Sequence, residues 1–194
     1  MKKYYLIAAL LFLLISGFKT VHAQDGFFSN AQTFREGTFA VGIQPTALTE
    51  QNDFMMIFRA GYGLTPRLTG HLKLGAFDDE LYAGAHVEYG LTSEPNSALS
   101  VALLGGAYQY DEPGLKFGLN ISRDFEPISL YTGLNYQPMF ITEDFTLNSF
   151  LLPVGLDYHV ENAPVDLMLE ADIPLNDDAE YLEAITFGAR IYVN

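Results

Sequence analysis

The chain has 194 residues, about half of them hydrophobic and 14% aromatic, with no cysteine and a formal charge of −14. The missing cysteines exclude disulfides and thiol chemistry, and a chain this acidic, with no basic stripe, is not built to bind nucleic acid. The apolar and aromatic content excludes the disorder that acidic composition otherwise signals.

Lys2 and Lys3, an apolar run from Leu6 to Phe18, and Val21-His22-Ala23 together describe a secretory signal peptide over residues 1–23. The run is broken by Lys19 and falls short of the roughly 20 residues that a spanning helix needs. A mature chain is therefore expected to begin at Gln24, and loss of Lys2, Lys3 and Lys19 takes its charge from −14 to −17. Residues 24–36 are expected to form an N-terminal periplasmic segment, and 37–194 a β-barrel domain.

From there onward the chain alternates apolar and small or polar residues, the mark of strands with two different faces. Ten such segments run at 37–46, 53–63, 67–77, 80–91, 98–109, 114–123, 127–138, 145–159, 164–174 and 183–193. The third sets Leu68, Gly70, Leu72, Leu74 and Ala76 against Thr69, His71, Lys73 and Gly75. The tenth sets Ile185, Phe187, Ala189, Ile191 and Val193 against Thr186, Gly188, Arg190 and Tyr192. Regular spacing of about ten strands predicts an all-β, antiparallel up-and-down barrel.

Alternation leaves two barrels open, a soluble one with its apolar face inward and a membrane one with it outward. Three features favour the membrane barrel. The second face is rich in Gly, Ser, Asn and Tyr with isolated charges. The segments match the roughly 9–11 tilted residues that cross a bilayer. Tyr62, Tyr89 and Tyr158 lie on the apolar face just before a turn, where an interfacial aromatic girdle sits.

The connections alternate as well. Two of those after even segments begin with the same repeat, Tyr62-Gly63-Leu64-Thr65 and Tyr89-Gly90-Leu91-Thr92. Those after odd segments carry Glu50 and Asp53; Asp78, Asp79 and Glu80; Asp111 and Glu112; Glu143 and Asp144; Asp177, Asp178, Glu180 and Glu183, with no Lys or Arg among them. An even strand number brings both termini to one side, the periplasm for a bacterial barrel, so the acidic rim is expected to face outward.

The signal peptide, the ten alternating segments and the Tyr-Gly-Leu-Thr repeats resemble the small bacterial outer-membrane β-barrel proteins, the outer-membrane protein A-like and porin-like barrels common in Bacteroidetes. The resemblance implies a place in the outer membrane, with lipid and the barrel-assembly machinery as partners and no cofactor. The chain departs from that pattern in ending Ile191-Tyr192-Val193-Asn194 rather than in an aromatic residue. No periplasmic domain is expected after the barrel, and peptidoglycan anchoring is therefore not expected.

The second face places Arg59, Lys73, Lys116 and Arg190 against Glu88, Asp157, Asp166, Glu170 and Asp172. These read as a paired charge network filling a narrow lumen, because about eight strands leave room only for side chains while porin channels take about 16–18. The alternative is a small porin or transporter passing small solutes. A soluble barrel binding an apolar ligand is the other. His71, His86 and His159 are expected to act singly, bonded to neighbouring charges, since a metal needs several converging ligands. Acyl hydrolases and ten-stranded proteases of this membrane place a His beside Ser or beside paired acids. No His lies in the acidic connections, and a non-enzymatic role is expected. The acidic rim (Asp78, Asp79, Glu80, Asp111, Glu112, Glu143, Asp144, Asp177 and Asp178) suits divalent cations through oxygen ligands. It equally suits a solvated surface, which is preferred because no connection has calcium-loop spacing.

Overall fold

A computed structural model describes residues 30–50, 53–77, 80–92, 99–110, 112–142 and 145–193. The expected signal peptide lies outside these residues. Ten strands form one closed antiparallel barrel: β1 (Phe39–Leu48), β2 (Asp53–Thr65), β3 (Leu68–Phe77), β4 (Glu80–Gly90), β5 (Leu99–Tyr110), β6 (Glu112–Asp124), β7 (Ile128–Thr142), β8 (Phe145–His159), β9 (Val165–Pro174) and β10 (Ala184–Val193). Each strand pairs with its chain neighbours and β1 closes on β10, so the sheet has no free edge along its body.

The predicted segments match these strands closely. The largest difference is at β7, read to 138 and observed to Thr142. Pro138 lacks an N–H and looks like a terminator, but it pairs with Asn148 of β8 while the β6 ladder passes it by.

The alternation turns the apolar face outward. Phe58, Leu72, Leu74, Leu103, Phe117, Leu130, Val154, Leu169 and Phe187 are all exposed, whereas Arg59, Lys73, Glu88, Asn120, Asn135, Asp166 and Arg190 are buried. A barrel with reversed faces, holding an apolar ligand inside, is thereby ruled out. Its apolar residues would have to line the lumen, where the charges stand instead. Tyr62, Tyr89 and Tyr158 are exposed on the outer face near one rim, the rim that carries both ends of the barrel.

Glycine decides how the lumen fills. Large inward side chains face an inward glycine directly across the ladder: Tyr108 opposite Gly114, Asn135 opposite Gly118, Asn120 opposite Gly133, Tyr131 opposite Gly155, His86 opposite Gly106 and His71 opposite Gly61. A methyl on Gly114, Gly118, Gly133 or Gly155 would run into the side chain opposite, one on Gly61 into the Phe34 ring, and one on Gly106 into the Ala85 carbonyl and His86 Cβ. At these six places one of the pair gives up its side chain and the other takes the space; elsewhere two long side chains stand together, as Arg59 and Lys73 do.

The rim opposite the termini carries a feature the alternation did not announce, a 3-10 turn, η1 (Asp177–Leu182). It arises because β8 starts well before β9 ends, which leaves the first residues of β8 without a strand partner on that side. The connection substitutes for the missing strand. The Asn176 carboxamide accepts from the Phe150 N–H at 2.8 Å and donates to the Asn148 carbonyl at 2.7 Å. The Asp178 carboxylate accepts from the Asn148 N–H at 3.0 Å.

The glycine pairing makes a paired prediction. Gly155→Ala, whose methyl meets the Tyr131 ring, is expected to destabilise the barrel by about 1–3 kcal/mol through overpacking. Gly105→Ala, which points outward into open space, is expected to leave stability within about 0.5 kcal/mol. Denaturant unfolding followed by far-UV circular dichroism measures both.

Candidate functional site

The candidate site is the lumen, because the charged residues predicted for it all fall on inward positions of their strands. Arg59, Lys73, Glu88, Asp157, Asp166, Glu170 and Arg190 are buried, and Lys116 and Asp172 are half-buried. Their contacts gather into three groups, coupled to one another through their charges.

The first group lies at the rim that carries the termini. Arg190 of β10 pairs with Asp166 of β9, its direct cross-strand neighbour, and lies 3.7 Å from Asp157 of β8. The Tyr192 hydroxyl donates to the same Asp166 oxygen at 2.9 Å, and His159 Nδ1 meets the other oxygen at 2.5 Å. The guanidinium also stands over the rings of Tyr192 (4.9 Å) and Phe34 (5.8 Å). One cation thus serves two buried carboxylates, with His159 at the water-facing side of the group.

The second group crosses the lumen. Arg59 and Lys73 are opposite one another on β2 and β3, an arrangement that repels unless anions intervene. Glu170 and Asp172 of β9 supply them, facing Arg59, Lys73 and Lys116 of β6. Since β9 lies across the ring from β3 and β4, this attraction ties opposite walls together.

The third group is a histidine pair. His71 and His86 are register partners on β3 and β4, and their rings stack at 4.6 Å. His71 Nε2 is 3.8 Å from Glu88. The expectation of separate histidines is corrected here for these two. The β3–β4 register, which sets Leu68 opposite Tyr89, brings 71 opposite 86. Among the described residues, no three His, Asp or Glu side chains are placed to share a metal ion.

Residues 24–36 were expected as an N-terminal periplasmic segment, with no contact to the barrel assigned. The described part of that segment, residues 30–36, lies across the mouth at the termini rim. Asn30, Ala31 and Phe34 are buried. Asn30 Nδ2 donates to Asp157 at 2.6 Å, and the Phe34 N–H donates to Thr69 Oγ1 at 2.7 Å. The Phe34 ring meets His71 edge-on at 5.5 Å and Tyr192 at 6.0 Å. Burial of that ring alone contributes about 1.5–3 kcal/mol. Nothing in residues 30–36 alternates, and a lone Phe gives no period, so the segment carried no signal of its own.

At the acidic rim, Asp78, Asp79, Asp111, Glu143 and Asp144 lie outside the described residues, as does the side chain of Glu80. Glu112 is half-buried and Asp177 exposed. Asp178, read as a cation ligand, is engaged as the acceptor that closes the β8 edge. Ser149 Oγ donates to the Asp178 carbonyl at 2.7 Å and meets the Tyr181 hydroxyl at 3.3 Å. Burial under this turn pushes the Tyr181 hydroxyl above its ordinary pKa, so it is a neutral group at physiological pH.

No family model and no curated protein matches the chain. Among solved structures it is similar to a de novo designed transmembrane β-barrel, at 16% identity and a TM-score of 0.41, with 82% of this chain and 98% of that one covered. It is also similar to the N-terminal β-barrel domain of Pseudomonas aeruginosa OprF, at 11% identity and a TM-score of 0.40, with 81% and 98% covered.

The first charge group gives a prediction. Arg190→Met would leave Asp157 and Asp166 buried beside each other without their cation, and is expected to cost about 3–5 kcal/mol. Adding Asp166→Asn to that variant is expected to recover part of the loss. Chemical denaturation of the two variants and the parent measures it.

Proposed function

We propose that the chain is an integral barrel of the bacterial outer-membrane type, non-enzymatic, with a structural or surface-interaction role and a narrow lumen largely filled by its own side chains. The observation that carries this reading is the inverted polarity of the barrel. Large apolar side chains cover the outside on all ten strands, while seven charged side chains of the lumen set are buried within. In water that surface is a large aggregation liability; in a bilayer it is the required one. The exposed tyrosines at one rim support the same reading, since Tyr62, Tyr89 and Tyr158 stand where aromatic residues meet the lipid headgroups.

The non-enzymatic part is supported by what the buried charges do. Arg190, Asp157, Asp166 and His159 pair with one another, and the carboxylates of β9 face the cations of β2, β3 and β6. Such groups hold a wall together rather than stand ready for a substrate. With the termini rim on the periplasmic side, the acidic rim faces the outside of the cell, where a surface-interaction role belongs.

Leu72 tests the membrane reading directly. It lies midway along β3, is 61% exposed, and has Ala60 and Ala85 as its cross-strand neighbours. In lipid vesicles Leu72→Arg is expected to cost about 2–4 kcal/mol, the price of a cation at the bilayer midplane. On a water-facing surface the same change falls within about 0.5 kcal/mol, and that outcome would reject the proposal. Recovery of the protein from cells by buffer without detergent would reject it as well. A heat-modifiable band on gels of membrane fractions is the expected companion result.

A further inference from the structure

We propose that residues 30–36 are a self-supplied plug, seated in the mouth at the termini rim and sealing a polar chamber behind it from that side.

The seat is built from the barrel wall. The segment leads into β1 through Gly37, which has φ of +82°, the left-handed conformation glycine adopts without strain. It then crosses from β2 and β3 to β8. On one side the Phe34 N–H is held by Thr69 and its ring lies against Gly61, where an added methyl would come within 2.7 Å of the ring. On the other side Asn30 is held by Asp157. β1 and β8 are three places apart around the ring, so the segment bridges the opening rather than running along its edge.

The two Tyr-Gly-Leu-Thr repeats acquire a role here. Their tyrosines face outward at the rim, and their glycines face the plug. A methyl on Gly63 would run into the Arg35 carbonyl, and one on Gly90 would come within 3.3 Å of Thr33 Oγ1. The repeat is thus a clearance for residues 33–35 on two hairpins. The segment also differs from a strand in how it is held. The hydrogen bonds of Asn30, Thr33 and Phe34 to the wall run to side chains and to a turn carbonyl, and none of residues 30–36 belongs to a strand.

Behind it lies a polar interior. The carboxamides of Asn120 and Asn135 and the hydroxyl of Ser122 are buried and have no hydrogen-bond partner among the described residues. Buried polar groups of this kind are satisfied by water. Water that reaches these groups from the termini rim has to pass the plug.

The chain has no cysteine, so a single introduced thiol reports access to the chamber. Ser122 is an inward residue of β6 near the plugged mouth, 1% exposed and similar in size to cysteine. Ser122→Cys in the folded barrel is expected to react slowly with a small charged methanethiosulfonate. Adding Phe34→Ala is expected to raise the rate at least tenfold. Far-UV circular dichroism checks that both variants are folded. If Phe34→Ala does not fold, Asn30→Ala, which removes only the bond to Asp157, takes its place with a smaller rise expected. Equal rates with and without the plug substitution, whether both slow or both fast, would overturn the proposal. The measurement is made in detergent and needs only the closed barrel, so its result is independent of the membrane reading tested by Leu72→Arg.

Discussion

Everything inside this protein follows from the width of a ten-stranded barrel. Closing ten strands leaves a lumen of limited width that side chains fill, and several of its large polar residues fit by lying over a glycine on the adjoining strand. The chain meets this limit pair by pair. Tyr131 lies over Gly155, Tyr108 over Gly114, and the two asparagines over Gly133 and Gly118. The glycine content of the inner face is thus a packing requirement, fixed by which residue stands across the ladder, and it is why polar side chains as large as tyrosine fit inside.

Filling a lumen with charge raises a second problem, since each buried ion needs a partner with good geometry. The solution is strand-specific. β9 contributes Asp166, Glu170 and Asp172, and the cations come from β10, β2, β3 and β6. At the termini rim the pairing is local, between adjacent strands. In the middle it reaches across the barrel, where Glu170 and Asp172 offset the repulsion of Arg59 and Lys73 on neighbouring strands. The same side chains that fill the space also brace opposite walls.

The two ends are treated differently. At the acidic rim the connection before β10 folds back as η1 and completes the exposed edge of β8 through Asn176 and Asp178. At the other rim the chain ahead of β1 turns into the mouth and places Phe34 against Arg190, His71 and Tyr192. Both devices use residues outside the ladder to satisfy what the ladder leaves open. They also link the rims to the charge groups, because Asn30 and Phe34 rest on the Asp157–Arg190 cluster.

The strand count, the antiparallel order and the identity of the two faces were legible in the sequence alone, because a period of two in side-chain direction is a local property of each strand. Leu72 and Leu74 against His71 and Lys73 announce their faces without reference to anything distant. The nine lumen charges were found in the same way. What the tertiary structure decided is which of them meet, since a meeting depends on register and on the curvature that brings β9 across from β3. It also decided the place of residues 30–36. Their burial comes from a mouth assembled by β2, β3, β8 and β10 together, and no seven-residue stretch can display the shape of a cavity that four distant strands create.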